Sequence, residues 1–347
     1  MDTNFSKILT LWYLGNKRDL PWRKTNDAYK IWLSEIILQQ TKVAQGLPYF
    51  LAFVERFPSV DFLAKASEEE VLKMWQGLGY YSRARNLLAA ALMVMSDFNG
   101  VFPVAYNDLV KLKGVGVYTA SAIASFSNNE NVAVVDGNVY RVLSRIFGVY
   151  TPINSSEGVK EYNKIANSLL SKEDPAMHNQ AIMEFGALCC TPKKSQCNTC
   201  VFNDRCYAFK NQVVDKLPVK VKKIKIRKRY FNFIVCRSAK GIILQKRIGK
   251  GIWENMYQLP LIETEKNLDV SDFLKEDGVE EFNFDDIHLI YELDRPHKLS
   301  HQHIFAKFYE VDSFDINDSS YVEILYSKLE EYPVPVLISR FLENYVL

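Results

Sequence analysis

The sequence predicts a multidomain protein in which an all-α domain is followed by an α+β domain. At 347 residues the chain exceeds the usual size of one domain. Up to about residue 210 apolar residues recur at the three- and four-residue spacing of helices, as in residues 5–12. From Tyr230 they alternate as strands do, and helical spacing returns at residues 336–345. We therefore expect domains at residues 1–210 and 229–347.

Charge divides the chain at a similar point. Residues 1–228 hold 30 Lys and Arg against 20 Asp and Glu, whereas residues 229–347 hold 13 against 21. A basic first part favours a polyanionic partner. Residues 211–228 interleave valine and isoleucine with lysine and arginine and contain no glycine. We interpret them as an extended basic linker between the domains.

The composition excludes several classes of protein. Hydrophobic residues make up 48% of the chain and charged residues 24%, which is a globular balance. The longest apolar run, Leu87 to Met95, has nine residues, whereas a membrane span needs roughly 20. Residues 1–4 show no basic region leading into an apolar stretch, so no signal peptide is predicted. We expect a cytoplasmic protein, and disulfide bonds are therefore not the first interpretation of its cysteines.

Four cysteines lie within a 17-residue stretch, at Cys190, Cys197, Cys200 and Cys206. Thiolates from one short loop suit either a zinc ion or an iron–sulfur cluster. Structural zinc sites usually contain two Cys-x2-Cys pairs, and this stretch contains one, so its 6-2-5 spacing favours the larger group. Cys189 and Cys236 fall outside this pattern, and we expect them to be core residues.

Two motifs in the middle of the chain suggest anion binding and catalysis. Gly114 and Gly116 lie between helical segments, where glycines allow a tight turn and expose amide groups at a helix start. Asp136 follows two valines and precedes a glycine. Alone it would be read as a helix N-cap, but next to the glycine turn and the cysteine loop a catalytic carboxylate is favoured.

A single acid interrupts the apolar helix predicted around residues 32–38. Glu35 lies between Leu33 and Ile36, where desolvation disfavours the charged carboxylate. A carboxyl that resists ionisation suits a general acid near neutral pH. The structural alternative is a buried ion pair with Arg23.

These motifs, together with Pro21-Trp22-Arg23 and residues 77–83, resemble the adenine DNA glycosylase (MutY) family of the endonuclease III, or helix-hairpin-helix, superfamily. The resemblance implies a helix-hairpin-helix domain with a [4Fe–4S] loop at residues 190–206. It implies a monomeric base-excision-repair enzyme that flips out and removes adenine opposite 8-oxoguanine or guanine in double-stranded DNA. In a bacterial cell such an enzyme would be associated with the nucleoid.

The resemblance also assigns roles to individual residues. Glu35 would protonate the adenine and Asp136 would stabilise the cation-like sugar. The implied catalytic set is Glu35, Asp136, Tyr118 and Asn138, and the implied base pocket is Trp22, Arg23, Gln180 and Glu184. The implied DNA and 8-oxoguanine contacts are Gln40, Thr41, Leu78, Tyr80, Gly114, Gly116, Ser300 and His301. The implied metal ligands are Cys190, Cys197, Cys200 and Cys206.

The second domain resembles the MutT-type, or Nudix-like, fold through residues 251–260. Residues 261–281 contain acids but no arginine, so we expect recognition of the opposite base and no pyrophosphate hydrolysis. The reading loop of the family is matched by residues 298–301, with Leu299 in place of an aromatic residue. The alternative is a strand connection with a solvated histidine.

Two other functions are compatible with the scaffold. An endonuclease III-type glycosylase/lyase for damaged pyrimidines would carry a Schiff-base lysine where this chain has Tyr118, and a phenol forms no imine. We therefore expect base excision without efficient strand cleavage. A non-catalytic DNA-binding relative would not need both Glu35 and Asp136.

Overall fold

The computed structural model describes residues 3–221, 226–276, 279, 287–311 and 320–346. The chain divides into two compact units. The first comprises Met1–Lys65 and Asn86–Lys222, and the second comprises Ala66–Arg85 and Lys223–Leu347.

The described part of the chain before residue 211 is helical, which confirms the predicted all-α domain. The helices are α1 (Thr3–Asn16), α2 (Ala28–Leu38), α3 (Val43–Arg56), α4 (Val60–Ala64), α5 (Glu68–Met74), α6 (Ser82–Asp97), α7 (Tyr106–Leu109), α8 (Val117–Asn128), α9 (Gly137–Phe147), α10 (Ser156–Leu169), α11 (Pro175–Leu188) and α12 (Tyr207–Lys210). Short 3₁₀ turns occur at Pro21–Arg23 and Cys197–Thr199.

Capping side chains and glycines set the ends of the helices that carry the site. Asp27 precedes α2 and accepts hydrogen bonds from the amides of Tyr29 and Lys30. Gly148 ends α9 at φ +71°, in the left-handed region that glycine tolerates. The faces of α1, α9, α10 and α11 then bury one apolar core, which includes Phe5, Leu9, Tyr162, Phe185 and Phe202.

The second unit contains the strands, as the alternating pattern predicts. They are β1 (Arg227–Cys236), β2 (Gly241–Lys246), β3 (Tyr257–Gln258), β4 (Leu261–Thr264), β5 (Ile287–Glu292), β6 (His297–Lys298), β7 (Gln302–Val311) and β8 (Tyr321–Leu325). The helical segments here are α13 (Val270–Phe273) and α14 (Val336–Tyr345), with a 3₁₀ turn at Tyr326–Glu331.

The strands form two sheets. One has the order β4-β1-β7-β5, with β6 also paired to β7, and the other has the order β3-β2-β8. β1 and β7 run parallel over their whole length, from Arg227 opposite Gln302 to Cys236 opposite Val311. The other strand pairs are antiparallel. Helix α14 packs on the first sheet, where Phe341 stacks on Phe308 with ring centroids 4.0 Å apart. This α+β architecture confirms the predicted fold class.

Residues 66–85 group with the second unit, although the predicted domain boundaries assign them to the first. Glu69 forms an ion pair with Lys246 at 2.6 Å. Arg85 pairs with Glu254 at 2.8 Å, and the Asn255 amide donates to Glu68 at 2.6 Å. These polar side chains join segments that are far apart along the chain, so their pairing has no local sequence signal.

The predicted linker, residues 211–228, lies partly on the first unit. The carbonyl of Val219 accepts a hydrogen bond from the Ile153 amide at 3.0 Å, and Val221 exchanges two hydrogen bonds with Asn154. Residues 222–225 lie outside the described residues, and Arg227 already belongs to β1. Within the described ranges no helix has the length and apolar character that a membrane crossing requires.

Candidate active site

Glu35 lies on α2 and is 8% exposed. Burial raises the pKa of its carboxyl to about 7, an effect that the Tyr118 hydrogen bond and Arg23 oppose and the charge of Asp136 reinforces. The ion pair with Arg23 that the sequence left as an alternative is not formed, because the Arg23 guanidinium binds Glu184. At neutral pH Glu35 is therefore close to half protonated.

Tyr118, in the first turn of α8, is hydrogen-bonded directly to Glu35. Its hydroxyl donates to the Glu35 Oε2 atom at 2.6 Å. Burial, followed by the charges of Glu35 and Asp136, raises the pKa of the phenol well above its usual value. Tyr118 therefore stays neutral and acts as a donor, which leaves Oε1 of Glu35 as the oxygen that can carry a transferable proton.

Asp136 caps the N-terminus of α9, as the local sequence pattern suggests. Its Oδ1 atom accepts from the amides of Asn138 and Val139, each at 2.8 Å. Its Oδ2 atom accepts from the Asn138 side-chain amide at 2.7 Å. Burial raises the pKa of Asp136, whereas these hydrogen bonds lower it. The capping and catalytic interpretations are compatible, because a capped carboxylate at a helix N-terminus is an oriented anion.

Helix α9 links Asp136 to the cysteine loop through Arg141. The guanidinium of Arg141 donates to the Asn138 side-chain oxygen at 2.8 Å and to the carbonyl of Cys190 at 2.6 Å. One turn later, Arg145 donates to the Cys190 sulfur at 3.5 Å. The orientation of Asn138, and with it that of Asp136, therefore depends on the conformation of the cysteine loop.

Glu184, on α11, is 1% exposed and lies between two arginines. Arg18 donates to both carboxylate oxygens, at 2.9 and 2.6 Å, and Arg23 also donates to both, at 2.9 and 2.7 Å. Burial alone would raise the pKa of Glu184, but the hydrogen bonds from Arg18 and Arg23 lower it to about 2. Glu184 is therefore a permanent anion at neutral pH and cannot serve as a proton donor.

The other predicted base-pocket residues are Gln180 and Trp22. Arg23 and Gln180 line one cavity of about 450 Å³, and the Gln180 side-chain oxygen accepts from the Tyr13 hydroxyl at 2.7 Å. Trp22 is 9% exposed and packs edge-on against Phe50. The site thus holds a partly protonated carboxyl at Glu35 and a fixed anion at Glu184, an arrangement in which two carboxyls have different roles.

The glycine turn precedes α8. Gly114 has φ +76°, and a Cβ atom there would lie 2.7 Å from the Cβ of Asn86. Gly116 occupies the N-cap position of α8, with extended backbone and open space where a Cβ would be. No side chain caps this helix start, so the first amides of α8 are available to an anion.

Two further predicted DNA contacts follow α2. Gln40 is exposed and adopts a left-handed φ of +57°, which is uncommon for a residue other than glycine. Thr41 is half-buried, and its hydroxyl donates to the carbonyl of Gln39 at 3.3 Å.

The four loop cysteines line one cavity, together with Cys189 and Arg145. The amide of Phe202 donates to the Cys200 sulfur at 3.4 Å. Amide and guanidinium donors to sulfur are the surroundings that thiolate ligands require. Cys189 and Cys236 are buried, as expected for core residues. Within the described residues, no group of three or more Cys, His, Asp or Glu side chains is arranged to hold a single metal ion.

A second candidate site lies within the second unit, in a cavity of about 480 Å³. It brings together four predicted contacts from two distant segments: Leu78, Tyr80, Ser300 and His301. The Tyr80 and Ser300 hydroxyls are hydrogen-bonded to each other. Tyr80 has a left-handed φ of +49° and is 45% exposed, whereas Leu78 is buried. Leu299 and Trp253 also line this cavity. We refer to this space as the reading cavity.

Sequence reasoning missed three arginines, Arg18 at the first site and Arg141 and Arg145 beside the cysteine loop. Arg18 has no local signal, because its partner Glu184 lies 166 positions away. Arg141 and Arg145 had a usable signal, since residues 138, 141 and 145 follow the three- and four-residue spacing of one helix face.

Comparisons with known proteins identify two families along the chain. Residues 33–168 match the HhH-GPD superfamily of base excision DNA repair proteins, and residues 232–344 match the NUDIX domain. The chain is 35% identical to the adenine DNA glycosylase of Buchnera aphidicola subsp. Schizaphis graminum (strain Sg), over 75% of both proteins. It is 36% identical to the adenine DNA glycosylase of Arabidopsis thaliana, over 72% of this chain and 46% of that one.

Solved structures resemble about 60% of this chain. A thermostable thymine-DNA glycosylase superposes with a TM-score of 0.56 and 27% identity, over 60% of this chain and 95% of that one. An endonuclease III bound non-covalently to DNA gives a TM-score of 0.53 at 21% identity, over 60% and 94%. The second likeness concerns the fold alone.

Proposed function

The chain belongs to the adenine DNA glycosylase family, and from this premise we propose that it removes adenine lying opposite 8-oxoguanine or guanine in duplex DNA. Excision of adenine in base-excision repair is the activity of the family. The opposite base and the roles of individual residues are our proposal. The observation that carries it is the buried Glu35 carboxyl with a pKa of about 7, hydrogen-bonded to Tyr118.

Glu35 is proposed as the proton donor to the departing base. Cleavage of the bond between the base and C1′ leaves an anionic adenine unless a proton reaches the ring as the bond breaks. A carboxyl with a pKa of about 7 is partly protonated at the working pH and still acidic enough to give the proton up. Because Tyr118 occupies Oε2, the proton would leave from Oε1.

Asp136 is proposed as the anion that stabilises the cation-like sugar. The amides of Asn138 and Val139 and the Asn138 side chain hold its carboxylate in one orientation. Water would then add at C1′. Since neither Asp136 nor Tyr118 is an amine, no imine to the sugar forms, and we propose that the enzyme leaves the strand intact.

Glu184 is proposed to recognise the base as a fixed anion. Arg18 and Arg23 hold it charged, so it accepts hydrogen bonds and would favour a base edge that presents donors, such as the exocyclic amino group of adenine. Trp22 and Gln180 would complete the pocket. The base reaches this site only after it has been flipped out of the helix, at a cost of a few kcal/mol.

The reading cavity is proposed to receive the base opposite the adenine. Ser300 and His301 offer polar groups, and both line the cavity together with Tyr80. Leu299 provides an apolar contact without an aromatic face. Polar readout by a few side chains suits a domain in which acids outnumber bases.

A [4Fe–4S] cluster held by Cys190, Cys197, Cys200 and Cys206 is part of the proposal. The four-thiol set and its amide and guanidinium donors fit such a group. When bound, the cluster would cross-link the loop that carries Lys193, Lys194 and Arg205. Iron and sulfide analysis of purified protein distinguishes it from zinc. Cys200→Ala should lose the absorption in the violet-blue region, whereas Cys236→Ala, altered outside the loop, should keep it.

The test of the proposed function is a glycosylase assay on four duplexes. Adenine is placed opposite 8-oxoguanine, guanine or thymine, and in the fourth duplex cytosine replaces the target adenine. We expect excision opposite 8-oxoguanine and guanine, and strand breaks only after alkali treatment. Equal excision opposite thymine, or excision of cytosine, would contradict the proposal.

We also propose that the enzyme acts as a monomer on the genome, in the cytoplasm or at the nucleoid of a bacterial cell.

A further inference from the structure

A cavity of about 510 Å³ in the second unit has not been assigned a role above. Its walls are the end of β5, the following turn and one face of α14. This volume lies in the range of small-ligand pockets. We refer to it as the aromatic–basic cavity, because its wall residues include Tyr291, Phe341, Tyr345, Arg295, Lys298 and Arg340.

One wall is aromatic. Phe341 and Tyr345 are four residues apart on α14, so they lie on the same helix face. The Tyr345 ring packs against Phe341 and against Tyr291, with centroid separations of 5.3 and 4.6 Å. Phe341 is 2% exposed, whereas Tyr345 is 42% exposed. The stack is therefore anchored in the core and presents part of the Tyr345 surface to a ligand.

The other wall is cationic. Arg295, Lys298 and Arg340 are all exposed, and in the described part of the chain none of them is in an ion pair. In residues 229–347 acids outnumber bases by 21 to 13, so three cations around one cavity reverse the local charge balance. Cations left without acidic partners, beside an exposed aromatic ring, favour an anionic ligand with an apolar part.

The aromatic–basic cavity adjoins the reading cavity. His297 and Lys298 line both, because β6 runs between them. A strand whose base lies in the reading cavity would therefore bring its neighbouring backbone to the aromatic–basic cavity.

We propose that the aromatic–basic cavity binds a nucleotide phosphate, with the deoxyribose against Tyr345, and that this nucleotide flanks the base held in the reading cavity. Arg295, Lys298 and Arg340 neutralise the phosphate. The inference rests on the proposed function, since it needs the opposite strand to enter the reading cavity. Its contacts are to the backbone, so it adds affinity without base specificity.

The test compares two double variants of the full-length chain. Arg295→Ala/Arg340→Ala removes two cations of the cavity. Lys240→Ala/Lys328→Ala removes two exposed cations elsewhere in the same unit and serves as the matched control. Each pair is placed in a Glu35→Gln background so that excision of the adenine is slowed during the binding measurement. Binding to an 8-oxoguanine:adenine duplex is measured between 50 and 200 mM salt, and melting curves verify that the variants fold.

We expect the Arg295→Ala/Arg340→Ala protein to bind roughly 10-fold more weakly at low salt, with a plot of log K against log salt that is shallower by about 1 to 2. The control should match the parent protein. An affinity and slope equal to those of the control would overturn the inference.

A second arm identifies the source of the phosphate. Deoxyguanosine monophosphate is titrated against the parent protein and the Arg295→Ala/Arg340→Ala variant. Tight binding of the free nucleotide that depends on the two arginines, without a change in the DNA salt slope, would overturn the assignment to a DNA strand. The excision of adenine opposite 8-oxoguanine and opposite thymine is measured separately with the wild-type enzyme. If the wild type shows no preference for 8-oxoguanine, the proposed function is refuted. If the wild type shows this preference but the salt slope of the Arg295→Ala/Arg340→Ala variant is unchanged, only this inference is refuted.

Discussion

The Tyr118 hydroxyl donates a 2.6 Å hydrogen bond to Oε2 of Glu35, joining the first turn of α8 to the middle of α2. This contact occupies the Oε2 atom of Glu35 and leaves Oε1 for the proposed proton transfer. It also opposes the effect of burial on the pKa of Glu35. Tyr118 is thus a positioning residue for the proposed acid, in a place where a lysine would be a nucleophile.

The rate of adenine excision should fall as the pH rises through about 7. Glu35 must be protonated to act, and its pKa is about 7, so the rate should decrease about tenfold for each pH unit well above that value. Glu35→Gln should lower the single-turnover rate by about 10²–10⁴-fold. Glu55→Gln, which alters an exposed acid in the same unit, should keep the wild-type profile. A flat wild-type profile between pH 6 and 9 would exclude Glu35 as the acid.

Glu35 should also cost stability at alkaline pH. Its folded pKa of about 7 lies above the unfolded value near 4.5, so the folded state binds the proton more tightly between these values. Stability should therefore decrease from pH 4.5 to 7, by an amount on the order of 3 kcal/mol. Glu35→Gln should melt at a higher temperature than the wild type at pH 8, and the two should converge below pH 4.5. Identical melting temperatures at pH 8 would contradict a buried, desolvated carboxyl.

Removing the Tyr118 hydroxyl should move the pH profile. The hydrogen bond lowers the pKa of Glu35, so in Tyr118→Phe the falling limb should shift to higher pH. The maximal rate should drop as well, by roughly 10-fold, because a bond to an ionisable carboxyl is worth about 1.5 to 3 kcal/mol. A lower rate with an unmoved limb would indicate that Tyr118 acts on the substrate and not through Glu35.

A lysine at position 118 should change the type of reaction. Borohydride should trap no covalent DNA adduct with the wild-type enzyme, since Tyr118 offers no amine. The Tyr118→Lys protein should yield a trapped adduct on the same duplex. Trapping with the wild type would revive the glycosylase/lyase alternative.

The ion pairs of Glu184 should stabilise the fold, and this stabilisation should be lost at acidic pH. Glu184 has a pKa of about 2, below its unfolded value near 4.5, so its contribution is complete above pH 4.5 and is lost as the pH falls toward 2. Glu184→Gln should lower the free energy of unfolding at pH 7 by about 2–3 kcal/mol. This loss is small for a broken buried ion pair, because the Arg18 side chain is 36% exposed and solvent screens its charge. Glu173→Gln, at an exposed site nearby in the chain, should have no such effect. Urea unfolding at pH 7 and pH 3 makes the comparison.

The two glycines before α8 should respond differently to alanine. Gly114→Ala should destabilise the protein by about 1–3 kcal/mol, because its φ is +76° and its Cβ would meet Asn86. Gly116→Ala should leave the melting temperature within error, since its Cβ enters open space. That same Cβ would obstruct a phosphate at the start of α8, so DNA binding should weaken. Unchanged DNA affinity in Gly116→Ala would remove this turn from the interface.

Several features of the site could be predicted from the sequence, because each depends on residues that are neighbours in the chain. An acid inside an apolar helix predicts desolvation, and Glu35 is buried. The change from helical to alternating spacing predicted the two fold classes. For Asp136 before a glycine the local pattern offered an N-cap as the alternative to a catalytic role, and Asp136 does accept the capping hydrogen bonds of Asn138 and Val139.

The sequence by itself therefore determined the architecture, the family and the residue types available for chemistry, since periodicity, spacing and burial tendency are local properties. Only the tertiary structure decided which charges meet. Arg18 reaches Glu184 across 166 positions, and Lys246 reaches Glu69 across 177, which joins residues 66–85 to the second unit. An ion pair needs only a few ångströms of separation in space and imposes no spacing on the chain, so no local pattern can reveal it.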